Sequence, residues 1–128
     1  MYAYDCDMAN PNLDSVLIEG NTIATVGTPF QVYMRNIGTG TVTNVQVHKN
    51  SLMSLKNLTA AMIDATANWW GAASGPGVGK VVGNVDYDPW YVDAAMTILS
   101  DVAPTTVYVD ATYTSGSAGG HIFGYDAF

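Results

Sequence analysis

Positive charge is what this chain has least of. Arg35, Lys49, Lys56 and Lys80 stand against eleven Asp and Glu, for a formal net charge of −7. A polyphosphate backbone needs several Lys or Arg on one face, so nucleic acid is excluded as a partner. An anionic membrane or an acidic glycan is disfavoured by the same balance. Cysteine is nearly absent too. Cys6 alone allows no internal disulfide and no zinc site, so it reads as a small buried hydrophobe. No apolar run approaches the roughly eighteen residues that a membrane-spanning helix requires, so no membrane insertion is expected. Met1-Tyr2-Ala3-Tyr4-Asp5 lacks the basic and apolar regions of a secretory leader. Either export is not used, or the leader belongs to a longer parent chain.

Site chemistry is equally sparse. His48 and His121 are far apart and have no histidine partner at metal-ligand spacing, so no metal site is expected. There is no nucleophile elbow, P-loop or dinucleotide fingerprint. Gly75-Pro76-Gly77-Val78-Gly79-Lys80 lacks the spacing and the following Ser or Thr of a phosphate loop. Asp86 and Asp88 would share a face of a strand, as paired acids of glycosidases do, but they read first as a solvated turn. Glu19 and His48 read as a surface pair on neighbouring strands. The Asn57-Leu58-Thr59 triplet matches a glycosylation sequon and carries little weight. No catalytic residue and no cofactor is assigned.

What the chain does have is repetition. Nearly half of it is apolar, at 48%, and 13 glycines punctuate it, a mixture that suits short strands joined by tight turns. Three segments share one form: Val16 to Ile23, Val45 to Leu52, and Ile63 to Trp70. In each, two apolar or small residues of one parity are followed three positions later by asparagine, and then by a large apolar residue. The asparagines are Asn21, Asn50 and Asn68. Their copies lie 29 and then 18 residues apart, as loop insertion around a fixed strand pattern produces. Stacked in parallel at ~4.8 Å, these strands would place their aliphatic residues in one column. The asparagines would sit at the bend, taking its left-handed conformation and bonding along the stack. Trp70 aligns with Ile23 and Leu52, which predicts that it stoppers the column.

The run Asn68-Trp69-Trp70-Gly71, Ser74-Gly75-Pro76-Gly77 and Gly83-Asn84-Val85-Asp86-Tyr87-Asp88-Pro89-Trp90 resembles the closing signature of right-handed parallel β-helix proteins. These form the broad pectin-lyase-like group of surface and secreted proteins. The resemblance covers about residues 13–92 and implies an all-β fold: a short right-handed parallel β-helix of about three coils. It also implies that Val81, Val82, Val85, Tyr87 and Trp90 fold over the last coil as a lid. Pro89, which has no N–H to give, suits such a terminating edge.

The expected organisation is terminal coils and lid over 1–92, a linker over 93–105, and an extra strand within 106–128. Thr106 to Thr114 alternates and resembles the lead-in to another β-helix. Tyr2 to Met8 also alternates as a strand, with turns at Asn10-Pro11-Asn12, Thr25 to Pro29 and Asn36 to Gly40. The function implied is a non-catalytic structural or adhesive module of an extracellular or cell-surface protein. The alternatives are the C-terminal fragment of a polysaccharide lyase or glycoside hydrolase, and a solenoid piece that self-associates through its open N-terminal coil. Trp69 reads first as packing beneath the Ala72 to Gly79 loop. With Trp90 and Tyr91 it forms a second reading, an aromatic platform for neutral polysaccharide.

Overall fold

The computed structural model describes residues 12–23, 30–35 and 40–128 of the protein. The strand expected over 2–8 with Cys6, and most of the turns expected over 10–12, 25–29 and 36–40, lie outside them. Among the described residues there is no helix. The strands are β1 (Leu13–Glu19), β2 (Val32–Met34), β3 (Val42–His48), β4 (Leu55–Asn57), β5 (Ile63–Asp64), β6 (Val81–Val82) and β7 (Val85–Asp86). They form two sheets, β1-β3-β5-β7 and β2-β4-β6, in which every pairing is parallel. The chain therefore crosses from one sheet to the other between successive strands.

The repeat sets the register. Val16 pairs with Val45 and Val45 with Ile63, so the three segments stack as their alignment predicts. Past the strands the ladder continues through single bridges, Thr22 to Ser51, Ser51 to Trp69 and Trp69 to Tyr91. Ile18, Val45, Val47, Ile63 and Ala65 from one sheet meet Val32, Met34 and Leu55 from the other in one buried cluster. Ile23, Leu52 and Trp70 complete it at the bends. Each fully buried aliphatic side chain of this kind contributes about 1.5–3 kcal/mol.

The asparagines bond in series. Asn21 N and Nδ2 donate to Asn50 Oδ1 at 2.9 and 3.1 Å, and Asn50 N and Nδ2 donate to Asn68 Oδ1 at the same two distances. Asn50 and Asn68 are wholly buried. They do not, however, take the left-handed conformation themselves. That falls one residue earlier, on Gly20, Lys49 and Ala67, with φ of 72°, 51° and 51°. The preceding residue makes the bend, and the asparagine amide is thereby turned into the stack. Glycine meets this need freely, whereas Lys49 and Ala67 bear a cost of roughly 1–2 kcal/mol each.

Beyond Trp70 the structure differs from the sequence expectation in three places. Val81, Val82 and Val85 do not lie across the core as a lid. Leu55 pairs with Val81 and Ile63 with Val85, so β6 and β7 each extend a sheet by one more parallel strand. The fourth strand of the larger sheet escaped the sequence alignment because Trp90 stands at its asparagine position. Gly83 links β6 to β7 with φ of 94°, and a Cβ there would lie 1.9 Å from the carbonyl oxygen of Asn57. Only glycine fits that approach.

Covering of the last strand falls instead to residues 93–100. Tyr91 bridges Leu99 in antiparallel fashion, Val92 N donates to Ile98 O, and Ser100 N donates to Trp90 O. Residues 93–105, expected as a linker, thus double back at their start. The strand expected over Thr106 to Thr114 does not form. It makes two isolated bridges, Tyr108 to Ala127 and Thr114 to Ser117, and Val107 and Val109 are exposed at 53% and 81%. Alternation implies a buried face; instead the segment bonds the backbone of 126–128, with Tyr108 N donating to Asp126 O, Asp110 N to Phe128 O and Phe128 N to Tyr108 O.

Candidate functional site

The outer face of the four-stranded sheet carries most of the polar chemistry. Leu17, Gln46, Asp64 and Asp86 form one outward row by register. Glu19 pairs with His48 in the next row, and the same spacing adds Thr66 and Asp88. Glu19 and His48 are register partners as expected, and each also meets a second ionic group. Lys49 Nζ donates to Glu19 Oε1 at 2.9 Å, and its hydrogen bond and charge hold Glu19 below the usual carboxylate range. His48 Nε2 lies 2.9 Å from Asp64 Oδ1, without the alignment of a hydrogen bond. Burial raises the Asp64 pKa, but His48 and the Thr66 hydroxyl and N–H outweigh it, so the group sits below its ordinary range. Asp86 and Asp88 are exposed, and Asp88 N donates weakly to Asp86 Oδ1 at 3.4 Å. Among the described residues no three His, Cys, Asp or Glu converge as metal ligands do.

The aromatic residues separate into two environments. Trp69 and Tyr91 are bridged neighbours on adjacent strands, both half-buried. Trp69 also lines a cleft of about 490 Å³ together with Ala73, Ser74, Asp93, His121 and Phe123. Trp90 has the opposite parity and packs against the core cluster. Its indole N–H donates to Ala73 O at 2.9 Å, and Gly75 lies flat on its ring, where a Cβ would come within 2.7 Å. Trp90 is therefore a packing residue and leaves the platform reading. Pro89 stands opposite Ala67 and accepts the Ala67 N–H through its carbonyl at 2.7 Å. Trp70 is buried and meets Tyr87 edge-on, with ring centroids 6.3 Å apart.

The far wall of the cleft was not legible as site material. Ser115, His121, Ile122 and Phe123 come from a region whose sequence suggested only flexibility and terminal aromatics. His121 is held there by stacking on Tyr108, centroids 3.6 Å apart, and by Asp126 at 3.6 Å. The sequon at Asn57 is spent on structure. Asn57 is 2% exposed, donates to Ala61 O and Asn84 O, and accepts from Thr59 N and Oγ1.

Asp93 lines the same cleft. Its carboxylate accepts from Thr97 N, Ile98 N and Thr97 Oγ1, each at 2.9 Å. Burial raises its pKa, and these donors more than reverse that, leaving it below the ordinary value of 3.8. A depressed folded pKa contributes stability that is present above the unfolded value and is lost as pH falls through the folded one. The protein is thus expected to lose stability on acidification below about pH 4. In Asp93→Asn the slope of unfolding midpoint against pH should be shallower, and an unchanged slope would remove Asp93 from the account.

Comparison with protein-family models, curated proteins and solved structures gives no match to this chain.

Proposed function

We propose that the chain is a non-catalytic structural or adhesive module of a secreted or surface protein. In this reading it is the end of a short right-handed parallel β-helix similar to the pectin-lyase-like group, and it holds neutral polysaccharide at the Trp69 cleft. The fold reading is supported by strands that alternate between two parallel sheets and by the asparagine series at the bend. Right-handedness follows the strong bias of parallel crossovers.

The observation that carries the ligand is Trp69 in the lining of the cleft, with Tyr91 bridged to it through the backbone. An indole ring in the wall of a cleft offers a flat apolar surface to the CH face of a sugar, while Ser74, Ser115 and Asp93 in the same lining supply hydrogen-bonding groups. Titration of neutral oligosaccharides against tryptophan fluorescence should show saturable binding. Trp69→Ala should weaken it about tenfold, equivalent to ~1.4 kcal/mol. No binding across a panel of neutral glycans, or an unchanged affinity in Trp69→Ala, would refute the ligand reading. The same glycans should stay intact on incubation. Chain cleavage that disappears in Asp86→Asn would instead make the protein an enzyme.

A further inference from the structure

The cations of this acidic chain are segregated. No Asp or Glu occurs between Glu19 and Asp64, or between Asp64 and Asp86, and all four Lys and Arg lie in those two stretches. Lys49 is spent on Glu19. The other three belong to the three-stranded sheet: Arg35 follows β2, Lys56 is the middle residue of β4, and Lys80 precedes β6. Arg35, Tyr33 and Lys56 have outward parity, because Val32, Met34, Leu55 and Asn57 between them are buried. Lys56 Nζ sits 5.4 Å from the Phe30 ring centroid and 5.5 Å from that of Tyr33, and the Arg35 guanidinium lies 5.9 Å from Tyr33. The rings fix where the charges stand.

The other sheet is the complement. Asp14, Asp86 and Asp88 lie along its strands and the turn that follows them, beside Glu19 and Asp64, which Lys49 and His48 already face. Both sheets bury their inner faces in one cluster, so their outer faces turn away from each other. Among the described residues of the two sheets, cations therefore gather on one outer face and carboxylates on the opposite one.

We propose that the cationic face of the three-stranded sheet docks the acidic face of a second copy of this chain. The two patches are different surfaces, so the contact is heterologous and each copy keeps one face open for the next. Association then builds open chains of copies rather than closed dimers. Cations seated over Phe30 and Tyr33 occupy ring faces that a sugar would need, which favours carboxylates as the occupant over a stacked glycan. The net charge of −7 opposes association at long range. At about 0.1 M salt the screening length is about 10 Å, so facing surfaces outweigh distant charges, whereas at about 1 M it is about 3 Å and the pairing is lost.

Light scattering on the full chain tests this. The apparent mass should rise with protein concentration at about 0.1 M salt and return to that of one chain, 13.6 kDa, at about 1 M. Lys56→Glu with Lys80→Glu makes both faces acidic and should give single chains. Asp86→Lys with Asp88→Lys turns the acidic face toward positive and should do the same. Mixing the two variants should restore association, which misfolding of either could not produce. A wild-type mass that stays at one chain, variants that associate like wild type, or a mixture that fails to recover would each overturn the proposal. So would saturation of the Lys56 face by a carboxylated polysaccharide without any self-association.

Discussion

Replacing Asn50 with alanine should cost about 3–5 kcal/mol, a large part of the ~5–15 kcal/mol that a domain of this size has in total. The side chain is wholly buried and works in both directions. Its Oδ1 accepts two bonds from Asn21, and its Nδ2 donates to Ile18 O, His48 O and Asn68 Oδ1. Truncation leaves buried carbonyls without their donor, and each such group costs about 1–3 kcal/mol. Asn50→Asp keeps the shape and one acceptor but faces oxygens with oxygen, so it should be no milder at neutral pH. Asn21→Ala should cost only about 1 kcal/mol, since Asn21 is partly exposed at the end of the series and water can replace its partners. Urea unfolding of the three variants reads this gradient directly. Equal and small losses at positions 21 and 50 would mean that the asparagines decorate the stack without holding it.

Trp70→Ala should be comparably severe, at about 3–5 kcal/mol, because it empties a large volume inside the core cluster. Trp70 is 3% exposed, joins the core cluster and is met edge-on by Tyr87. Trp70→Phe should be far milder, about 1 kcal/mol or less. The indole N–H is buried and finds no acceptor among the described residues, so phenylalanine removes an unpaired donor while keeping most of the ring. Thermal melts of the two variants separate these effects. Should Phe prove as damaging as Ala, the indole nitrogen has a partner and the packing account of Trp70 fails.

How much of this was readable beforehand varies by residue. The stacking of Val16, Val45 and Ile63 was, because a parallel ladder repeats its inward positions and a buried amide tolerates no substitute. The strand at Val85 was not, since its asparagine position holds Trp90 and its loop length differs. The bend geometry was misplaced by one residue. Asn is the usual non-glycine occupant of left-handed backbone, yet here Lys49 and Ala67 take that conformation so that the amide can face inward. From sequence, Trp69 reads first as packed beneath the 72–79 loop and Trp90 as part of a lid, and both also enter the platform reading. Their opposite parity, visible once Tyr91 bridged Trp69, separated the packing indole from the one lining the cleft.

The amino-acid order by itself determined the parallel stack, its register and its buried amides, because those depend on spacing within short segments and recur. Only the tertiary structure decided what closes the stack, which aromatic ring borders a cleft, and that the cations and carboxylates part to opposite faces. Those outcomes rest on which distant segments meet. The return of residues 93–100 beside Tyr91 and the approach of His121 and Phe123 to Trp69 are single contacts between unlike sequences. A contact made once leaves no period along the chain for local physics to detect.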